Sequence, residues 1–331
     1  MIVDHVAIIG LGSIGRRHLR NLKKIRPDIE TTIVRSGHGQ DWPELELADR
    51  TVFSLSEAIA AGVQAAIISS PAAMHIKQAV RLAQEGIHLL IEKPVGSTLD
   101  GVDELMNVVL ESDIVTLVGY VLRYDLAAQT FNELLKTGKH GHSLHVRVEA
   151  GSYIPDWRPE QDYKKTVAAS PELGGGVLLE LSHEFDYIRW FFGEIKTIVA
   201  HLHNSGHLGI EVEECADMIM TSINGLPISL HLDFHQRHAM RRCIVAGSEG
   251  TLTWDLIADN VVWHPAGGAE EVLHFGSARD DIFQRQLVHF FSCIESGDEP
   301  RVSLKDGVEA MRLVSAAKKS SEMAGTRQEL I

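Results

Sequence analysis

Three groups of residues in this 331-residue chain have the types and spacing to do chemistry together. The first is Gly10-Leu11-Gly12-Ser13-Ile14-Gly15, a G-x-G-x-x-G run between an apolar strand pattern (Val3 to Ile9) and a helical run from Arg16 to Ile25. In that setting Gly10 permits a tight turn and Gly12 admits a pyrophosphate close to the backbone. Gly15 lets helix and strand pack, and Ser13, Ile14 and Gly15 offer free N–H groups at the positive end of the helix dipole. The second group is Glu92-Lys93-Pro94, which closes the apolar run Ile87 to Ile91. A lysine at the carboxyl end of a parallel strand sits where open α/β sheets bind ligands, and the proline ends the strand behind it. The third group is Glu180 and His183, three apart behind Gly174-Gly175-Gly176. A carboxylate on the same helical face as a histidine can orient the ring and raise its basicity for general-base work. A bound dinucleotide, a cation to stabilise a developing alkoxide and an acid-supported histidine to move a proton are the parts of a hydride transfer.

The elements that must position these groups follow from periodicity. Thr31 to Val34 reads as the second strand, and it ends in Arg35-Ser36-Gly37 where an NAD site usually carries an acid. Arginine pairs with a 2′-phosphate and serine donates to it, so the sequence favours NADP(H), with NAD(H) as the alternative. A third strand, Ala65 to Ile68, leads into Ser69-Ser70-Pro71. Ser70 and Pro71 fall at the cofactor edge, and His75 falls one turn into the next helix (Met74 to Gln84), either on the cofactor or packed in the helix. A helix from Leu99 to Leu110 and a strand from Val115 to Tyr120 complete an alternating pattern that implies a parallel, doubly wound sheet over residues 1–121.

Beyond Arg123-Tyr124-Asp125 the pattern changes. A helix (Leu126 to Thr137) and a strand (His145 to Glu149) precede a long irregular stretch, Gly151 to Ser170, holding Tyr153, Trp157, Arg158, Tyr163, Lys164 and Lys165. Its aromatic and basic content suggests an ordered substrate loop that accepts an anionic group. Periodicity predicts one helix from Val177 to Phe192. Seven candidate strands follow: Thr197 to His203, Asp217 to Ile223, Ile228 to Phe234, Arg242 to Val245, Thr251 to Trp254, Val261 to His264 and Glu271 to Phe275. Short turns such as Asn224-Gly225 join them, and two helices (Ile282 to Ile294, Gly307 to Met323) close the chain. Residues 122–331 therefore read as a second α/β domain with a large, mostly antiparallel open sheet. Its uncovered face suggests a homodimer or homotetramer.

Composition narrows the partners. A net charge of −14 argues against nucleic acid and anionic membranes. Cys215, Cys243 and Cys293 form neither a disulfide framework nor a zinc spacing, which suggests a reducing, cytoplasmic setting. No apolar stretch approaches the roughly 18 residues of a membrane span. Among the 18 histidines, His231, Asp233 and His235 alternate on one strand, as do His201 and His203. They read as strand or interface histidines, and no metal is expected.

Taken in order, these motifs resemble the Gfo/Idh/MocA family of nicotinamide-dependent oxidoreductases across nearly the whole chain. The match includes the glycine loop with His18, Ser70-Pro71 with His75, Glu92-Lys93-Pro94, Gly119-Tyr120 with Arg123, and the Gly174–Gly176 run with His183 and Asp186. The resemblance implies a Rossmann domain followed by an oligomerising α/β domain, and substrates that are mostly sugars, cyclitols or their derivatives. It assigns Lys93 to the nicotinamide region and the reacting oxygen, and His183 to the proton relay. Arg123, Tyr153, Trp157 and Arg158 are expected to orient the substrate. The chain departs from the family in one place: an aspartate usually stands four residues before the histidine, whereas Glu180 stands three before His183. The stretch Leu179 to Tyr187, with Pro155-Asp156-Trp157 ahead of it, resembles a subgroup associated with bacterial surface-sugar clusters, which implies a nucleotide-sugar or sialic-acid-like substrate. Two other readings remain: a glycosidase of the same fold that retains its NAD, and a non-catalytic nucleotide sensor.

Overall fold

The apolar runs of the N-terminal half become strands buried on both faces, as parallel strands covered by helices must be. A computed structural model describes residues 2–37 and 40–330. In it, contacts divide the chain into two compact units, Met1–Val121 with Ala278–Val308, and Leu122–Ser277 with Glu309–Ile331.

The first unit holds strands β1 (His5–Ile9), β2 (Glu30–Val34), β3 (Arg50–Val52), β4 (Ala65–Ile68), β5 (His88–Ile91) and β6 (Thr116–Val118). They form one sheet in the order β3-β2-β1-β4-β5-β6, parallel throughout. Helices α1 (Ser13–Ile25), α2 (Leu55–Ala60), α3 (Ala72–Ala83) and α4 (Val102–Ser112) make the crossovers. The strand order reverses between β1 and β4, and that switch point is where a doubly wound sheet opens a ligand crevice.

The second unit holds α5 (Leu126–Thr137), β7 (Ser143–Gly151), α6 (Val177–Glu180), α7 (His183–Phe192) and strands β8 (Ile195–His203), β9 (Cys215–Ser222), β10 (Pro227–Asp233), β11 (Met240–Gly247), β12 (Gly250–Asp255), β13 (Asn260–Pro265) and β14 (Glu271–His274). With the two-residue edge strand β15 (Gln328–Glu329) they form a nine-stranded sheet in the order β14-β13-β12-β11-β7-β10-β9-β8-β15. Only the β7/β10 pair is parallel among the described ladders. One face is apolar: Trp254 of β12 meets Phe131 of α5 and both Tyr187 and Phe191 of α7. On the opposite face of the central strands Arg147, His201, His203, Asp217 and Ile219 are exposed. The β8 edge is blunted where the hydroxyls of Ser320 and Ser321 accept the N–H groups of Ala200 and Leu202.

The last two helices are α8 (Asp281–Ser296) and α9 (Leu304–Glu322). The chain passes between units after residues 121, 277 and 308, where the sequence suggests a single division after 121. The return has a packing cause. Phe283 of α8 lies edge-on to His18, Arg17 stacks on the same ring, and Gln284 bonds Asn21 at 2.8 Å. Residues 302 and 303 then extend the β6 edge, with Val118 N–H donating to the Val302 carbonyl.

Candidate active site

The glycine loop is built as its spacing requires. Gly10 has φ +90°, and its N–H is bonded to the Val34 carbonyl at 2.9 Å, so the turn closes against β2. A side chain at Gly15 would strike the Gly10 carbonyl and the Ser69 hydroxyl. Ser69 at the end of β4 ties the loop from the other side, its hydroxyl donating to the carbonyls of Ile9 (3.0 Å) and Gly10 (2.9 Å). Gly12 is different. Its φ of −70° suits any residue, and a Cβ there would meet nothing within 4 Å. The fold itself needs no glycine at this position. The open space lies ahead of α1, whose first turn has no side-chain cap, and it fits a pyrophosphate that must come against the backbone. Ser13 is exposed and Ile14 half-buried beside it.

At the end of β2, Arg35 is engaged already. Its guanidinium pairs with Asp41 at 2.5 Å and donates to the Gln40 carbonyl at 2.9 Å, while Ser36 is exposed. Nearby, Arg16 lies over the Trp42 ring at 3.7 Å. Ser70 donates its hydroxyl to Gln78 at 2.6 Å, and Pro71 caps α3. Of the two roles open to His75, the ring's surroundings are those of a packed residue. It is buried, Nδ1 facing the Pro94 carbonyl at 2.8 Å and Nε2 the Ser70 carbonyl at 2.7 Å. Burial depresses its pKa and outweighs the two carbonyl acceptors, which act in the opposite direction.

Lys93 stands half-exposed between buried neighbours, Glu92 and Pro94, at the carboxyl end of β5. Glu92 explains why that turn is fixed. One carboxylate oxygen accepts from the fully buried His18 at 2.6 Å, and the other accepts the Lys93 N–H at 3.2 Å. A side chain on Gly119 would press on the same carboxylate, which accounts for the glycine before Tyr120. His18 is thus a link between α1 and the lysine turn. Its position three residues after Gly15 was visible in the sequence, but its partner, 74 residues away, was not.

The Gly174-Gly175-Gly176 run also has a structural reason. A Cβ on Gly175 would strike the carbonyls of Val167 and Ala168, and one on Gly176 the Glu213 carboxylate. Glu213 accepts the first N–H groups of α6 through its own carbonyl (Val177, 3.1 Å) and side chain (Leu178, 3.3 Å). The expected helix from Val177 to Phe192 is in fact two. α6 ends at Glu180, Leu181 and Ser182 form a turn, and α7 begins at His183. Leu181, at φ −101° and ψ 31°, departs from helical geometry and interrupts the ladder that the apolar spacing suggested. Glu180 and His183 therefore flank a turn, both half-buried amid fully buried neighbours, and they no longer share a regular helical face.

Arg123 does not project as an available cation. It is buried and clasps Asp186 in a two-pronged pair, Nε to Oδ2 at 3.0 Å and Nη2 to Oδ1 at 2.7 Å. A second such pair, Arg241 with the buried Glu184 at 2.7 Å, ties α7 to β11 and was missed in the sequence. The 151–170 stretch is ordered by one-turn helices at Ile154–Asp156, Tyr163–Lys165 and Val167–Ala169. Trp157 donates to Ser152 at 2.7 Å and meets Phe234 edge-on, and Tyr163 donates to the Leu208 carbonyl at 2.8 Å. Arg237 lies 3.5 Å over the Tyr153 ring and was not anticipated; Arg158 is half-buried.

Comparison with known proteins adds a decisive observation. Residues 5–120 match the model of an oxidoreductase family with an NAD-binding Rossmann fold, and residues 128–253 match the model of the GFO/IDH/MocA C-terminal domain. The chain belongs to the Gfo/Idh/MocA family. It is an oxidoreductase, and its first unit carries the NAD-binding fold. A myo-inositol 2-dehydrogenase of Thermotoga maritima is 26% identical over 338 residues, covering 96% of each chain. The same fold recurs in a levoglucosan dehydrogenase solved with NADH and L-sorbose (TM-score 0.87, 18% identity, 99% of this chain and 98% of that one). It recurs too in the WlbA dehydrogenase of Bordetella pertussis with NADH and UDP-GlcNAcA (TM-score 0.83, 19% identity, 100% and 98%). Among the described residues no helix is long and apolar enough to cross a membrane.

Proposed function

We propose that this Gfo/Idh/MocA oxidoreductase moves a hydride between nicotinamide C4 and the carbinol carbon of a secondary alcohol on a sugar or cyclitol. The observation that carries this is Lys93, a half-exposed cation on a buried turn after β5, with only β4 between it and the strand that leads into the Ser69-braced glycine loop. The nicotinamide group supplies the hydride acceptor or donor when bound. In the oxidative direction the C–H bond gives its electron pair to that acceptor, the O–H proton passes to His183, and a ketone leaves. Glu180 supports the imidazole, and the Lys93 ammonium stabilises the alkoxide as it develops. The relation to the Thermotoga maritima inositol dehydrogenase supports a polyol substrate. Arg158, Lys164 and Lys165 support an added anionic group, as in a nucleotide sugar or a sialic-acid-like acid.

Two features at the end of β2 set the cofactor preference against each other. Arg35 and Ser36 favour NADP(H), through pairing with a 2′-phosphate. The Asp41 carboxylate already on Arg35 favours NAD(H), because it must be displaced before a phosphate can bind. Fluorescence titration with NADPH and NADH separates the readings, and Asp41→Asn is expected to tighten NADPH more than NADH.

The reaction is tested with a polyol panel that includes myo-inositol and levoglucosan, following nicotinamide absorbance. Lys93→Ala and His183→Ala should each lower turnover by about 10²- to 10⁴-fold. Near wild-type turnover in both variants would sink the assignment. Release of free sugar without net absorbance change would point to the glycosidase, and nucleotide binding with no turnover on any substrate would point to the sensor.

A further inference from the structure

The open face of the second unit's sheet carries a cluster that the oxidoreductase chemistry does not use. Cys215 and Asp217 lie two apart on β9, and His231 and Asp233 two apart on the adjacent antiparallel β10. The register pairs Cys215 with Asp233 and Asp217 with His231, so four side chains stand as a two-by-two block on one face. Within it a thiol sulfur, a carboxylate oxygen and an imidazole nitrogen all lie within 4.8 Å of one another.

We propose that Cys215, Asp217 and His231 bind a zinc-class divalent cation on this face. The donor set chooses the metal. Sulfur and imidazole nitrogen favour a borderline-soft ion over magnesium or calcium, which prefer all-oxygen cages. Thiolate and carboxylate together offset the two positive charges. His231 Nδ1 points to Asp217, at 2.7 Å from Oδ1. Its Nε2 is bonded to Asp233 Oδ2 at 3.1 Å. Metal-bound histidines characteristically give their second ring nitrogen to a carboxylate, which fixes the ring. Asp233 is suited to that duty because it is itself fixed: buried, with Oδ1 accepting the N–H groups of His235 (2.6 Å) and Gln236 (2.8 Å). Three protein donors leave a fourth position. Across β8, His203 is paired with Cys215 and His201 with Asp217, both exposed on this face, so an imidazole is the neighbour within reach of it.

The competing state is a proton. Hydrogen bonding to Asp233, then to Asp217, raises the His231 pKa to about 9, and burial raises the Cys215 thiol to about 11. A metal must displace both protons, which is the ordinary cost of assembling such a site.

The purified full-length chain is first titrated with Co²⁺ at pH 8 and followed by absorbance. A thiolate-to-cobalt charge-transfer band is expected, absent in Cys215→Ser. Zn²⁺ should displace the cobalt, and His231→Asn and Asp233→Asn should each weaken Zn²⁺ binding by about tenfold or more. A second measurement needs no variant: Zn²⁺ should slow alkylation of Cys215 in the wild-type chain, read by peptide mass. Cobalt binding without the sulfur band, equal zinc affinity in all variants, or unchanged Cys215 alkylation would overturn the proposal.

Discussion

The two units hold their candidate residues by different means. In the first, strand ends do most of the positioning: Lys93, Gly12 and Ser70 follow strands whose places are set by the parallel ladders, with the His18–Glu92 bond and the Ser69 hydroxyl bracing the turns. In the second, side-chain pairs do it: the buried pair Arg123–Asp186 and the partly buried pair Arg241–Glu184 both hold α7. The lesson is that chemistry and stability should be separable in the first unit and coupled in the second.

The strongest way to break that contrast is Asp186→Asn. It leaves the Arg123 guanidinium buried beside a neutral partner, and loss of one member of a buried pair costs about 3–5 kcal/mol. Urea unfolding should show that loss whether or not a nucleotide is present. Lys93→Met is the counterpart in the first unit. The side chain is half-exposed, so its unfolding free energy should stay within about 0.5 kcal/mol of wild type while turnover collapses. A Lys93 variant as unstable as the Asp186 variant would erase the distinction.

The same asymmetry explains what the sequence disclosed. The glycine loop and Glu92-Lys93-Pro94 are local patterns whose meaning needs only a strand before them. The strands of the second sheet were equally legible, because a sheet with one covered face alternates along each strand, as in the burial of β9. Arg123–Asp186 spans 63 residues and His18–Glu92 spans 74, and no periodicity encodes a pairing at that range. The break at Leu181-Ser182 was hidden because the apolar spacing continues through it, Leu178, Leu181, Phe185 and Ile188 all being buried. Residues 278–308 show an amphipathic helix plainly, but which sheet it covers depends on Phe283 meeting His18, again a distant contact. β15, two residues long, is below what any alternation can reveal.

A smaller effect sharpens the first unit alone. Gly12→Ala and Gly15→Ala make the same change three residues apart in one loop. At Gly12 the methyl meets nothing, so the melting temperature should hold while NADH affinity falls by about tenfold, or 1.4 kcal/mol. At Gly15 the methyl strikes the Gly10 carbonyl, so the loop must shift and both stability and affinity should drop. Equal thermal stability in the two variants would show that the loop yields, and that Gly15 serves the ligand instead of the packing.

The smallest effect concerns pH. Burial holds the His75 pKa below its ordinary 6.5, so the native state resists protonating this ring while the unfolded chain accepts the proton. The sign follows from linkage: the contribution is fully present above pH 6.5 and is lost as pH falls from there towards the lower folded value. A single proton limits the slope to about 1.4 kcal/mol per pH unit. Unfolding free energies measured between pH 7.5 and 5.5 should therefore fall more steeply in wild type than in His75→Gln. The slope is the quantity to compare, because the substitution also changes the bonds to Ser70 and Pro94 and so lowers the baseline. Parallel slopes would mean that the two carbonyls facing the ring nitrogens cancel burial, and a shallower fall in wild type than in the variant that they outweigh it. In that last case His75 would be a charged clamp between the β4 turn and the lysine turn, a second side-chain interaction, beside His18–Glu92, on which the first unit's geometry depends.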